Sequence, residues 1–172
     1  MTFKSTTGLL KLAKLKKYGK RKKVIQGGTS AGKTYDILAI LITQAIDEPM
    51  LEVSIVSEST PHLRRGAMRD FLKIMMMTGR YRDNQWNRSN LKYSFTNGSY
   101  IEFFSVEQPD KLRGARRKVL YVNEANNVPF EAYQQLSIRT SGDIWIDFNP
   151  TANFWAHTEV VPNNDADFIT LT

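Results

Sequence analysis

The chain has 172 residues, enough for one domain with one substantial core. Its 41% hydrophobic content fits a globular protein. No apolar run reaches the ~18 residues of a membrane span, and the basic N-terminus lacks the apolar stretch of a secretory signal. The absence of cysteine excludes disulfides, thiolate catalysis and zinc–thiolate sites and suits a reducing cytoplasm, while a net charge of +7 points to a polyanionic partner.

Residues 1–23 read as a basic amphipathic helix or arm, with Leu9, Leu10, Leu12, Ala13 and Leu15 alternating with lysines. Eight basic residues lie between Lys11 and Lys23, and no acid precedes Asp36. Lys16, Lys17, Lys20, Arg21, Lys22 and Lys23 are the expected contacts to nucleic-acid phosphates, a salt-dependent and non-specific attraction. A solvated arm is the plain alternative. Val24 to Gln26 is the first expected strand, followed by a glycine-rich turn and an apolar helix to about Asp47 that must be buried against a sheet.

Leu51 to Ser57 reads as a second buried parallel strand. Ser59-Thr60-Pro61 then starts a helix running from Leu63 to Met77, whose Met68, Phe71, Leu72, Met75 and Met76 form an apolar face. Arg64, Arg65 and Arg69 on it face either DNA or solvent. Leu91 to Phe104 is expected as a hairpin with a type I′ turn at Asn97-Gly98. Ser105 to Arg117 is a polar connection carrying Arg113, Arg116 and Arg117. Val119 to Val122 is a strand ending in Asn123-Glu124, Glu131 to Arg139 a helix, and Asp143 to Phe148 a strand ending in Asn149-Pro150. The domain is expected over residues 24–160, with 161–172 starting a linker. His62 and His157 are isolated and read as surface or hydrogen-bonded residues rather than metal ligands.

Gly27, Gly28, Thr29, Ser30, Ala31, Gly32, Lys33 and Thr34 fit the phosphate-loop pattern G-x-x-x-x-G-K-[ST] between a strand and a helix. Glycines let successive backbone N–H groups turn inward on phosphate oxygens, and the helix adds its positive end. Lys33 is expected on the β- and γ-phosphates of a nucleoside triphosphate, and the Thr34 hydroxyl on Mg²⁺. Strands alternating with helices imply an α/β fold with a mainly parallel sheet, in which ligands gather at the carboxyl ends of strands. That places Asn123-Glu124 and Asp147-Phe148-Asn149 near the phosphate loop. Glu124 is the candidate general base or water-positioning group, and its place directly after a strand favours hydrolysis of ATP by water. Asn123 stands where such sites usually carry an aspartate, and reaches the metal only through a bound water or the Thr34 hydroxyl.

GGTSAGKT, LRG, YVNEANN and IDFNP, in this order and spacing, resemble the ATPase domain of a tailed-phage terminase large subunit, closest to the PBSX type, over roughly residues 24–160. The resemblance implies a P-loop NTPase of the additional-strand, catalytic-glutamate (ASCE) class with a RecA-like fold. It implies an ATP- and Mg²⁺-dependent motor moving double-stranded DNA into a procapsid, working as a homo-oligomeric ring on the portal protein with the small terminase subunit, in the host cytoplasm and off the membrane. By the same resemblance Glu124 is the catalytic carboxylate, Asn123 belongs to the subgroup's pattern, and Asp147 and Asn149 form the coupling motif that senses the γ-phosphate. Many relatives carry an arginine at the position of Thr29. Its absence assigns the arginine finger to Arg113, acting from a neighbouring subunit. The family's C-terminal nuclease motifs cannot be placed, so DNA cleavage is not expected. Two readings stay open beside this one: another nucleic-acid-dependent ATPase such as a helicase or recombinase, and a non-hydrolysing DNA-binding assembly module.

Overall fold

The computed structural model describes residues 6–172; residues 1–5 of the expected basic arm lie outside the described residues. Runs rich in Val, Ile and aromatic residues alternate with helices, as a sheet covered on both faces requires. The strands are β1 (Lys22–Gly27), β2 (Glu52–Ser57), β3 (Trp86–Asn87), β4 (Lys92–Ser94), β5 (Tyr100–Ser105), β6 (Val119–Val122), β7 (Ile144–Phe148) and β8 (Ala166–Leu171). They form one sheet in the order β3-β4-β5-β2-β6-β7-β1-β8. All pairs from β5 to β8 across the sheet are parallel, and at the other edge the β5–β4 and β4–β3 pairs are antiparallel.

The helices are α1 (Thr7–Tyr18), α2 (Lys33–Asp47), α3 (Thr60–Arg65), α4 (Ala67–Met77), α5 (Pro109–Arg113) and α6 (Phe130–Ser137). Successive strand residues point to opposite faces, so Ile25, Ile55, Tyr121 and Trp145 enter one core with α1, α2 and α4. Val24, Val56, Val122 and Ile146 enter the other with α5, α6 and the π-helical turn Ala156–Val160. The breadth of the apolar surface on α2 is accounted for: Ile37, Leu38, Leu41, Ile42 and Ala45 have no solvent exposure.

The structure departs from the sequence expectations at four places. Residues 161–172 are not a linker, because β8 pairs with β1 along its whole length, from Lys22↔Ala166 to Gly27↔Leu171. The basic segment is not separate from the domain either: Leu12 of α1 is fully buried, and β1 begins at Lys22. The helix expected from Leu63 to Met77 is two, broken at Gly66, whose φ −115° and ψ −107° are not helical. The hairpin turn is not type I′, which needs positive φ at both central residues. Among residues 95–99 only Gly98 has positive φ (+86°), and the Phe95 N–H donates to the Ser99 carbonyl, a three-residue loop closed by a left-handed glycine. The Asn97 side chain donates to the Ala45 and Ile46 carbonyls at 2.9 and 3.1 Å, so a tertiary demand at the end of α2 sets the turn.

Candidate functional site

In a parallel sheet the carboxyl ends of neighbouring strands open on the same side. Here β7 lies between β1 and β6, with β2 beyond β6. The segments following these four strands therefore meet: the phosphate loop after β1, Asn149 after β7, Asn123-Glu124 after β6, and Glu58 to Arg65 after β2.

The loop needs its glycines at two points. A Cβ on Gly27 would stand 3.0 Å from the Leu171 carbonyl oxygen and 3.2 Å from the Ala31 Cβ, so β8 closes the space a side chain would take. Gly32 takes φ +67°, the left-handed conformation that turns the chain into α2. Gly28 leads into a 3₁₀ turn over Thr29–Ala31 and has open space around it.

Lys33, 5% exposed, donates from Nζ to Asn149 Oδ1 at 2.6 Å and lies 3.9 Å from Asp147 Oδ2. Asp147 is fully buried, and its Oδ1 accepts from Asn123 Nδ2 at 3.0 Å and from the Glu124 N–H at 2.9 Å. Its Oδ2 has no hydrogen-bond partner among the described residues. Burial pushes the Asp147 carboxyl above its ordinary range, against the opposing pull of Lys33 and these donors. Asn123 Nδ2 also stands 3.1 Å from Tyr121 Oη and 3.4 Å from Thr34 Oγ1. Burial, with Asp147 adding to it, holds the Tyr121 phenol well above its usual value, so it remains a neutral hydroxyl.

Glu124 has φ +52° and ψ +56°, a left-handed conformation outside glycine that costs on the order of 1–3 kcal/mol and persists only where surroundings impose it. The bond from its N–H to Asp147 supplies one such constraint. Its side chain reaches out of the strand, and Oε2 lies 2.5 Å from His62 Nε2.

A cavity of about 440 Å³ opens over this network, lined among others by Thr29, Gly32, Lys33, Thr34, Asn123 and Glu124. Asp147 and Asn149 join it through Lys33. His62, Arg65, Arg69 and Asp70 form its far wall and were not singled out for the site from the sequence. The available signal was the helix start at Ser59-Thr60-Pro61, directly after a parallel strand. The cavity is thus a glycine-loop floor with Lys33, faced by His62, Arg65 and Arg69 and by two carboxylates, Glu124 and Asp70, an arrangement that can take a polyphosphate.

Other expected site residues lie elsewhere. Arg113 is exposed at the end of α5 and does not line the cavity. The basic cluster divides. Lys17 and Lys20 are exposed and Lys16 half-buried. Arg21 donates to the Thr140 carbonyl, and Lys22 pairs with Asp165 at 3.1 Å. Lys23 is 1% exposed, with Nζ 3.2 Å from Asp143, so it is withdrawn from any surface contact. The physical reason is register: residues 22 and 23 are the first two of β1, and a strand paired on both sides draws its side chains into the cores.

The large terminase of a thermophilic bacteriophage is similar over 97% of this chain and 45% of its own, at 17% identity and a TM-score of 0.83. The same phage protein in complex with ATP-gamma-S is similar over 97% and 44%, at 18% identity and a TM-score of 0.81. The large terminase ATPase domain of Thermus phage P74-26 is similar over 98% and 81%, at 16% identity and a TM-score of 0.72. The chain therefore spans less than half the length of the first of these proteins. At such identities the likeness concerns the fold, an α/β domain of the RecA-like P-loop class. No curated protein matches the chain. The phage terminase large subunit model matches residues 19–169, from just before β1 into β8, and the chain belongs to that family.

Proposed function

We propose that this domain is the ATP-hydrolysing motor of a phage DNA-packaging terminase, driving double-stranded DNA into a procapsid. The observation that carries the reading is the single cavity shared by Lys33, Thr34, Asn123 and Glu124, with Asn149 bound to the Lys33 amine. Lys33 and the loop N–H groups hold the triphosphate. Glu124 accepts a proton from the attacking water as its oxygen bonds to the γ-phosphorus and the bond to the β,γ-bridging oxygen breaks, leaving ADP and phosphate. Asn149 exchanges Lys33 with the γ-phosphate, so loss of that phosphate returns Lys33 to Asn149 and is relayed along β7. This is the coupling role assigned to Asp147 and Asn149.

The donor set suits Mg²⁺. Thr34 offers a hydroxyl, and the buried Asp147 carboxylate has a free oxygen nearby. Among the described residues no three His, Cys, Asp or Glu side chains gather as a metal site, and a Mg²⁺ held by one or two protein groups together with substrate phosphates and water would fit such a set. When bound it neutralises charge on the β- and γ-phosphates. Asn123 contributes a hydrogen bond to Thr34 and no charge.

The finger role falls to Arg113 of a neighbouring copy: exposed and away from its own cavity, it is free to enter another subunit's site in a ring. Such a ring would sit on the portal protein, with the small terminase subunit, in the host cytoplasm. None of the described helices is long and apolar enough to cross a membrane. Lys16, Lys17 and Lys20 are the members of the basic run that remain available to DNA.

The test is steady-state ATP hydrolysis with and without double-stranded DNA, for the parent and Glu124→Ala. DNA-stimulated turnover that is lost in the variant supports the reading. Unwinding of a forked duplex would favour a helicase instead. Turnover unchanged in Glu124→Ala would remove the carboxylate from the reaction.

A further inference from the structure

Glu124 cannot fix its own carboxylate. Its backbone is pinned through Asp147, but the side chain crosses the cavity on freely rotating bonds, and general-base catalysis needs the oxygen held within hydrogen-bond reach of the water. What it meets across the cavity is His62. A carboxylate oxygen only accepts, so at 2.5 Å the ring Nε2 donates to Oε2, which leaves Oε1 for another donor. On the ring's other side Glu58 Oε1 lies 3.6 Å from Nδ1. The imidazole therefore stands between two carboxylates from different elements.

The backbone under His62 is anchored on both sides. Ser59 caps α3 by accepting the His62 N–H at 3.2 Å, and the next residue, Leu63, is fully buried. α3 ends at Gly66, after which the chain turns into α4, so Arg65, Gly66 and Ala67 continue the same cavity wall. An ordinary surface pair of His62 with Glu58 one helical turn away would not need the shorter contact to a residue on β6's exit. Glu124 is 34% and His62 29% exposed at the side chain, so the bond is open to the cavity rather than sealed in the core.

We propose that His62 is a positioning residue for hydrolysis. It holds the Glu124 carboxylate facing the phosphate loop. The proposal rests on the ATPase reading above.

The experiment compares the parent, Glu124→Gln, His62→Ala and His62→Gln in DNA-stimulated ATP hydrolysis, alongside binding of a fluorescent ATP-gamma-S and thermal melting. Loss of turnover in Glu124→Gln secures the reading on which the proposal rests. His62→Ala is then expected to lower kcat about ten- to a hundredfold with nucleotide affinity within about twofold, because a displaced base impairs chemistry more than binding. His62→Gln, whose amide nitrogen reaches nearly as far as Nε2, restores most of the rate. Unchanged kcat in His62→Ala overturns the proposal while leaving the ATPase reading standing. So does equal damage in the Ala and Gln variants accompanied by lost affinity. A second measurement does not depend on turnover: the nitrogen-15 resonance of His62 Nε2 shifts when Glu124 becomes Gln, and a resonance that does not move removes the contact itself.

Discussion

Lys23 and Lys33 have both been taken out of water by folding, at 1% and 5% exposure, and each faces an aspartate at one end of the β7 segment. Their surroundings differ. Lys23 lies over the Trp145 ring, 5.5 Å from its centroid, donates to the Lys20 carbonyl at 2.6 Å and meets Asp143 at 3.2 Å. Its charge is satisfied and closed. Lys33 holds one neutral amide oxygen at 2.6 Å and stands 3.9 Å from a carboxylate that burial itself pushes toward protonation, under a cavity of about 440 Å³. Its charge is directed at open space. Two lysines of similar burial thus divide into one closed within the amino end of the sheet and one that lines an open cavity at the carboxyl end. Burial alone does not distinguish them; what each amine faces does.

If Lys33 works in a reaction that a neighbour completes, the largest effect belongs to a residue outside the cavity. Arg113→Ala is expected to lower turnover by about 10³–10⁵ while leaving ATP binding intact. In mixed assemblies, Glu124→Ala subunits that retain Arg113 should restore turnover to Arg113→Ala subunits. Equal loss of binding and turnover would make Arg113 structural. Next come the two lysines themselves. Lys33→Ala should abolish ATP-gamma-S binding and turnover with little change in melting temperature. Lys23→Ala should do the reverse, leaving Asp143 unpartnered and costing about 3 kcal/mol, the low end for a broken buried pair because Asp143 is 29% exposed. Lys23→Met should recover much of that loss. Urea titrations and nucleotide binding on the same samples decide it: a Lys23 variant that folds normally but loses nucleotide would dissolve the distinction.

The glycine-rich turn between β1 and α2 was legible because its geometry is local: Gly27 to Thr34 are consecutive, and their spacing alone specifies the passage from strand to helix. The strands of the sheet centre were legible as apolar runs. Lys23 was misread because a lysine in a basic run carries no sign that its ammonium will be buried over Trp145. β8 was missed because an edge strand needs only one covered face, and Asp167 and Thr170 on it look like loop residues; Asp167 is committed to the Lys20 N–H at 2.6 Å. The turn at Asn97 followed the end of α2 rather than its own dipeptide. The helix start after β2 hinted at the neighbourhood of His62, but its contact with Glu124 was not legible, since only the β2–β6 pairing brings the two together.

The division of the basic run sharpens the comparison further. Exposed Lys17 and Lys20 are free for phosphate contacts, and replacing both with alanine should lower the slope of log affinity against log salt by about 0.9 per lost contact on double-stranded DNA. Lys23→Met should leave that slope unchanged. A slope altered by Lys23→Met and not by the exposed pair would place the DNA surface elsewhere.

The smallest effect concerns a third buried charge, on the same helix as Lys33. Asp36, 6% exposed, accepts from Thr6 Oγ1 at 3.3 Å, and Thr6 in turn caps α1 by accepting the Leu9 N–H at 3.0 Å. Burial raises the Asp36 carboxyl above its ordinary 3.8, and the Thr6 bond opposes this only in part. The native state therefore holds this proton more tightly than the unfolded chain does. Below pH 3.8 both states are protonated and the group is neutral in its effect. As pH rises from 3.8 through the raised value, the unfolded chain ionises first and stability falls, and the cost is complete above that window. Asp36→Asn keeps an acceptor for Thr6 and removes the buried charge, so it should stabilise the domain at pH 7 and lose that advantage at pH 3. Urea midpoints at the two pH values test this. An equal difference at both would mean that the effect of the substitution comes from packing between α1 and α2 and not from ionisation of Asp36.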